Sequence, residues 1–307
     1  MKVPREVRAF LGQATDTFNS VPLVILLVGH SFACASFTKG KYGDRYLIDN
    51  LAGFIISFGG GTLSALLIQD PEHVPPIWFA GDMVMIIWGL CWWALNYSPG
   101  NIVWKLWKVK AFSALCMQLS LAILRAGIIA QRVDYIMASH PGNNITALIM
   151  GVIGSCGGGM IVDAIDIGAG YSRSVSELGA PTYSLRSGLF MSIFHWLSVH
   201  RYGLLTSRES LGLITIFFVG QTLSACLFGI PLDYTRALGK LLHKITLIPE
   251  PKGKTPPALA TTHKPVTRSQ TAAAAQNGIS GDEVAYAGTP SSVKKTPRRK
   301  SVNGKAE

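Results

Sequence analysis

Seven stretches of roughly 20 residues, nearly free of charge, dominate the first 231 positions: near 21–38, 51–69, 77–97, 110–131, 146–166, 184–200 and 210–231. Nothing else in the chain constrains its fold as tightly. About 20 apolar residues at a helical rise of 1.5 Å cross a hydrocarbon core roughly 30 Å thick. In that layer every backbone N–H and C=O must find a partner within the chain, which a helix provides. The pattern therefore predicts an all-α integral membrane protein with seven transmembrane helices. Charged residues make up only 15% of the chain, against about a quarter in an ordinary soluble domain.

The charge that remains is unevenly placed. Residues 251–307 hold ten cations against three acids, so this tail supplies +7 of the net +11. A basic tail beside a membrane serves topology and anionic lipid rather than nucleic acid. The loop at 39–45 carries Lys39, Lys41 and Arg45, and the one at 98–110 carries Lys105, Lys108 and Lys110. The alternate loops are poorer, with none in 70–76 and only Arg132 in 132–145. The basic side is the cytoplasmic one. With seven spans the C-terminus lies there and the N-terminus on the far, lumenal side. Lys2, Arg5, Arg8, Arg201 and Arg208 oppose this orientation.

The divisions that follow are a lumenal segment at 1–20, a seven-helix domain at 21–231, a basic amphipathic juxtamembrane segment at 232–249 and a disordered basic tail at 250–307. No cleaved signal peptide is evident in the first 20 residues. Asn144 opens one glycosylation sequon, and Ser301 follows Arg298, Arg299 and Lys300, where a phosphate would weaken attraction to anionic lipid. Cys34, Cys91, Cys116, Cys156 and Cys226 fall inside apolar runs and read as small buried hydrophobes, with no metal-ligand spacing among them. No cofactor or metal site is expected.

A duplication lies beneath the seven stretches. Phe58-Gly59-Gly60-Gly61 in the second is matched by Cys156-Gly157-Gly158-Gly159 in the fifth, 98 residues on. Each triplet sits in the second helix of a three-helix set, so the plan is an inverted 3+3 repeat (about 21–98 and about 110–200) with a seventh helix at 210–231. Three consecutive glycines cost helix propensity. They are tolerated where a helix breaks to line a polar path, or where another backbone packs closely. The repeat favours the path, with Gly59, Gly60, Gly61, Gly157, Gly158 and Gly159 along it.

Few polar groups fall within the apolar runs. Arg125 sits mid-span as a candidate pathway or lipid-headgroup cation, or else as a structural ion-pair partner. Asp163 and Asp166 follow the second triplet; Asp163 is a candidate for attracting cations or pairing with Arg125. Asp82 suits a helix N-terminus. His30 and His195 read as satisfied packing histidines, and Gln118 and Gln221 as interhelical hydrogen-bonders. No nucleophile–base pair, metalloprotease motif or phosphate cradle is present, so no enzyme is expected.

Several short runs now add up. Phe18 to Leu23, Phe58 to Gly61 with Leu66-Leu67 and Asp70-Pro71, Asn96 to Pro99 with Trp104-Lys105, Gly151 to Gly159, and Pro181-Thr182 with Gly188 resemble, in order and spacing, the trimeric intracellular cation (TRIC) channel family over roughly 15–231. The resemblance implies a homotrimer with one potassium-permeable, monovalent-cation pore per protomer. It would lie in the endoplasmic or sarcoplasmic reticulum membrane, with the nuclear envelope possible, and supply counter-ion flow during calcium release. It also implies a phosphoinositide headgroup near the pore, for which Arg125 and Lys105 are candidate contacts. Leu121 stands where the family's animal members carry lysine, a departure that counts against binding of the same kind. A secondary carrier of a small solute on the same inverted repeat is the alternative reading. A seven-helix receptor or retinal protein is disfavoured, since the seventh stretch has no lysine for a Schiff base and the third does not end in an acid–arginine–aromatic triplet.

Overall fold

Proline sets the first corner of the molecule. The computed structural model describes residues 3–43, 45–113, 119–168, 178, 182–227 and 235. Helix α1 (Arg5–Asn19) ends just before Val21-Pro22, and α2 (Leu23–Thr38) leaves at 77° to it. The residue before a proline avoids helical torsions, so the chain turns there. The lumenal segment expected at 1–20 is thus largely a helix of its own.

Helix α3 (Tyr46–Ile68) ends on Gln69 in the left-handed conformation (φ 59°), and a short 3₁₀ turn (Ile77–Ala80) leads into α4 (Asp82–Tyr97). Ser98-Pro99 stops α4, again by the pre-proline restriction. Two short helices, α5 (Ile102–Trp107) and α6 (Lys110–Ser113), connect to α7 (Leu119–Ser139). Pro141-Gly142 turns the chain into α8 (Asn144–Gly168). Helix α9 (Tyr183–His195) is capped by the Thr182 hydroxyl, which accepts from the Ser184 N–H at 3.1 Å, the usual device for an orphan N-terminal donor. It runs into a π-helical turn (Trp196–Arg201) before α10 (Ser207–Leu227).

No strand occurs among the described residues. Two helices, α3 and α8, are long and apolar enough to cross a membrane by themselves, and α1 with α2 passes the same test as a bent pair. The remaining predicted spans are occupied by α4, α7, α9 with its π turn, and α10. Surface chemistry agrees with lipid. On α4, Val84, Ile87, Trp88, Cys91, Trp92 and Leu95 are buried, whereas Met83, Ile86, Leu90 and Trp93 are exposed and equally apolar. A helix that is apolar on both faces is stable only in a large core or a bilayer.

Helices α3 and α8 pack most extensively, and α7 lies along α8. Helix α10 fits between α7 and α1. The α1–α10 contact is close: a Cβ on Gly212 would stand 2.3 Å from the Leu11 carbonyl oxygen. The Thr15 hydroxyl donates to the Arg208 carbonyl at 2.7 Å, Arg8 pairs with Glu209 at 2.9 Å, and Arg208 pairs with Asp16.

One boundary differs from expectation. The loop predicted at 132–145 begins only after Ser139, so Arg132 lies within α7. The buried stripe Ala122, Ala126, Ile129, Val133 and Ile136 continues through it at helical spacing. The juxtamembrane segment 232–249 (apart from Thr235), the tail 250–307, Cys116, Gln118 and Pro181 lie outside the described residues, as does the side chain of Cys226.

Candidate functional site

The two glycine triplets meet. A Cβ on Gly59 would lie 3.1 Å from the Gly158 Cα, and one on Gly157 would lie 3.1 Å from the Gly60 Cα. A Cβ on Gly60 would strike the carbonyl oxygens of Ile153 and Gly154 at 2.8 and 2.7 Å; one on Gly158 would strike those of Ile55 and Ile56 at 2.3 and 2.6 Å. Each contact has a counterpart with the roles of the two helices exchanged. Residues 55 to 64 of α3 run past 158 to 154 of α8, so the helices cross antiparallel, backbone against backbone. Only hydrogen on the Cα lets helices approach this closely.

Neither helix opens at its glycines. Both α3 and α8 are continuous α-helix through the triplet, so the expected break is absent and close backbone packing accounts for the glycines. Gly60, Gly61, Gly157 and Gly158 are buried, and Gly59 and Gly159 half-buried. The polar group at the crossing is a side chain. Arg132 is 5% exposed, and its Nε donates to Ser64 Oγ at 2.9 Å while an Nη reaches the Gly61 carbonyl at 3.4 Å. Gly154 lies against its stem, where a Cβ would stand 3.3 Å from Arg132 Cγ. A guanidinium among neutral oxygens in a membrane interior is costly, by about 2.5–3.5 kcal/mol on insertion scales. Such a residue marks function or a specific structural demand.

Arg125 lies two turns earlier on nearly the same face of α7 but reaches different partners. It donates to the Ser184 carbonyl and to Ser187 Oγ at 3.0 Å, and its guanidinium stacks 4.9 Å from the Phe218 ring centre. Arg125 therefore joins α7 to α9 and α10, while Arg132 joins α7 to the crossing. Gly188 admits Ser155 here, where a Cβ would meet the serine oxygen at 2.4 Å.

At the end of the molecule bearing the α3 N-terminus and the α8 C-terminus, Asp163 and Asp166 are each 1% exposed. Lys41 Nζ reaches Asp166 at 2.5 Å, and the Tyr42 hydroxyl donates to its other oxygen at 3.0 Å. Lys39 and Lys108 flank the Trp104 ring at 5.2 and 5.6 Å. Lys39 also donates to the Leu95 carbonyl at 2.8 Å, and burial pushes its ammonium pKa down. Lys105 is exposed on α5, and Leu121 packs on the apolar cluster around Trp88, Trp92 and Trp107.

The opposite end is also polar. Asp70, just beyond α3, accepts from the Tyr135 hydroxyl and from His73; these bonds hold its carboxyl at about 2, and Asp70 in turn raises His73. His195 is fully buried, with Nδ1 2.8 Å from Ser210 Oγ and Nε2 2.8 Å from Asp134 Oδ1. His30 Nε2 donates to the Ser57 carbonyl at 2.8 Å. His195 has a partner on each ring nitrogen, as the sequence suggests, whereas His30 Nδ1 is buried without a hydrogen-bond partner among the described residues. Asp82 is exposed in the first turn of α4.

The sequence reading missed Arg132 and Asp134. The stripe from Ala122 to Ile136 was the available signal, since it carries the helix past both.

A membrane-type helical fold built on one antiparallel crossing of two glycine-bearing helices is the class that these observations define. The family model for the TRIC channel matches residues 46–229, more than half of the chain, and the chain belongs to the TRIC channel family. Comparison with curated proteins gives no match. Among solved structures, the fold is similar to that of a TRIC counter-ion channel studied for its activity in calcium release (TM-score 0.60, 14% identity, covering 71% of this chain and 99% of that one). It is also similar to a trimeric intracellular cation channel from C. elegans, with bound Ca2+ (TM-score 0.58, 16% identity, 71% and 97% covered) and without it (TM-score 0.59, 17% identity, 73% and 98% covered). At these identities the likeness is one of fold.

Proposed function

We propose that this protein is a potassium-permeable, monovalent-cation channel of an intracellular membrane, supplying counter-ion flow while calcium is released, and is not an enzyme. Membership in the TRIC channel family across 46–229 is the observation that carries this reading. The similar solved structures, described as counter-ion and trimeric cation channels, support a homotrimer with one pore in each protomer. Their description as intracellular channels and in calcium release supports a place in the endoplasmic or sarcoplasmic reticulum, and the basic loops and tail support a cytoplasmic C-terminus.

The protomer is read as seven spans: α2, α3, α4, then α7, α8, α9, then α10, with 1–20 lumenal, 232–249 juxtamembrane and 250–307 a basic cytoplasmic tail. The first three repeat as the second three in inverted orientation. Shifted by 98 residues, Tyr46–Ile68 begins where Asn144–Gly168 begins, and Leu23–Thr38 falls inside Leu119–Ser139. The reciprocal contacts of Gly59 with Gly158 and Gly157 with Gly60 are those a two-fold axis produces.

The pathway runs beside this crossing. Gly59, Gly60, Gly157 and Gly158 hold α3 and α8 together and Gly61 lies against Ile128 of α7; Arg132 and Arg125 set the local field, and Asp163 attracts cations near one mouth. A phosphoinositide headgroup is not held in the family's manner, because Leu121 offers an apolar side chain where a lysine would bind phosphate; Lys105 and Arg125 are the cations left for it. Planar-bilayer recording of the purified full chain under a KCl gradient tests the reading. Unitary currents reversing near the potassium potential, altered by Arg125→Ala, are expected. Intact trimers that stay silent but take up a solute saturably would replace the channel with a carrier.

A further inference from the structure

The π turn after α9 does something an α-helix cannot. Residues five apart on an α-helix point about 140° away from each other. Between His195 and His200 the chain instead winds with five-residue hydrogen bonds, and the Tyr202 N–H closes on the Leu197 carbonyl at 3.0 Å. The two imidazoles therefore come to one side, ring centres 6.0 Å apart. Such turns are rare and concentrate at functional sites.

Asp134 of α7 stands between them. Its Oδ1 is 2.8 Å from His195 Nε2 and 2.7 Å from His200 Nε2, and the three donor atoms lie within 4.8 Å of one another. The surroundings are ordered for ligation. His195 Nδ1 is fixed by Ser210 Oγ at 2.8 Å, Ser198 lies 3.3 Å from that serine, and the Ser207 hydroxyl donates to the other Asp134 oxygen. An outer partner on the second ring nitrogen is what metal-bound histidines require. His195 is fully buried, while the His200 and Asp134 side chains are 22% and 30% exposed. The group is thus rigid at its base and open to solvent, and a groove of about 490 Å³ between α7 and α10 adjoins it.

We propose that Asp134, His195 and His200 form a three-ligand site for a divalent transition-metal ion of the Zn2+ class, which staples α7 to the π turn and, through Ser207 and Ser210, to α10. Two imidazoles and one carboxylate suit such ions, whereas Ca2+ and Mg2+ take oxygen ligands throughout. Bond lengths of about 2.0–2.1 Å place tetrahedral donors about 3.3 Å apart, so Asp134 Oδ1 need withdraw only about half an ångström from each imidazole. The fourth position opens toward the groove and takes water. Because Arg132 precedes Asp134 by two residues on α7, the ion fixes that helix next to the crossing. The site stands whether or not the chain conducts ions.

The test is thermal unfolding and calorimetry of the chelator-treated full chain in detergent, titrated with ZnCl2. One ion per chain and a rise of several degrees in Tm are expected with Zn2+, and no rise with equal MgCl2 or CaCl2. His200→Ala and Asp134→Asn should each weaken Zn2+ binding by more than about tenfold, while His73→Ala, which removes an exposed histidine elsewhere, leaves it unchanged. Co2+ in place of Zn2+ should give visible absorption that His200→Ala removes. Absence of a Zn2+ shift in the wild-type chain, or equal affinity in His200→Ala and His73→Ala, would overturn the site.

Discussion

The α2–α4 half and the α7–α9 half share a frame but are filled differently. Around α2 and α4 the interior is aromatic and apolar: Phe58, Trp88, Trp92 and Trp107 close on Leu27, Cys34 and Leu95. At the positions 98 residues on from Leu27 and Cys34 stand Arg125 and Arg132. Around α7 and α9 the buried groups include Ser120, Arg132, Ser187, Ser192 and His195. Ser31, Thr38, Asp49 and Ser64 are also buried in the first half, so one frame carries a mainly aromatic wall on one side and a more polar interior with a buried arginine on the other. The crossing itself is symmetric, since both halves present glycine to the other's carbonyls. What differs is the lining, and the pathway proposed above runs with the more polar half.

Breaking the shared frame should have the largest effect. Gly158→Val would press on the carbonyls of Ile55 and Ile56, and Gly60→Val on those of Ile153 and Gly154. Backbone cannot yield as a side chain does, so each should cost at least about 3 kcal/mol, the upper end of overpacking. The two should cost similar amounts if the crossing is two-fold. Gly127→Ala, where nothing lies within 4 Å, should be neutral or stabilise by up to about 1 kcal/mol. Thermal unfolding in detergent measures all three.

Next in size is the apolar half. Trp92 Nε1 donates to Asp49 Oδ2 at 3.0 Å, both buried. Trp92→Phe leaves that oxygen short of a donor and should cost about 1–3 kcal/mol without changing unitary conductance. Arg132→Met should do the reverse. It keeps the length of the stem and removes a buried charge, so stability should stay close to wild type while conductance changes severalfold.

These contrasts also show how much could be read from the residues. The helices over the apolar stretches and the paired glycines were legible because lipid demands length and the triplet is conspicuous at any spacing. The state of the helices at the glycines was not legible: broken and tightly packed helices use the same residue, and only the facing carbonyls of Ile55, Ile56, Ile153 and Gly154 decide between them. Arg132 was hidden because the fourth predicted stretch, 110–131, stops one residue short of it, although the buried stripe continues to Ile136. The meeting of His195 with His200 was hidden for a different reason. Five-residue spacing separates faces on an α-helix, and nothing in the local sequence announces a π turn.

The smallest effect lies at the end of α3. The Tyr135 and His73 bonds depress the Asp70 carboxyl to about 2, so their contribution is present above about pH 3.9, the ordinary aspartate value, and is lost as pH falls toward 2. Tyr135→Phe should raise the Asp70 pKa toward that ordinary value, followed by NMR titration of the carboxyl carbon. The His73 pKa, raised by Asp70, should fall in Asp70→Asn; its contribution is full below about pH 6.5 and is lost as pH rises through the elevated value.

The most direct measurement is single-channel recording of wild type, Arg132→Met and Trp92→Phe in planar bilayers under one KCl gradient. Potassium currents in the wild-type channel, altered in Arg132→Met and unchanged in Trp92→Phe, are predicted. A silent bilayer with intact trimers, or Arg132→Met currents identical to wild type, would contradict a pathway on the polar side of the crossing.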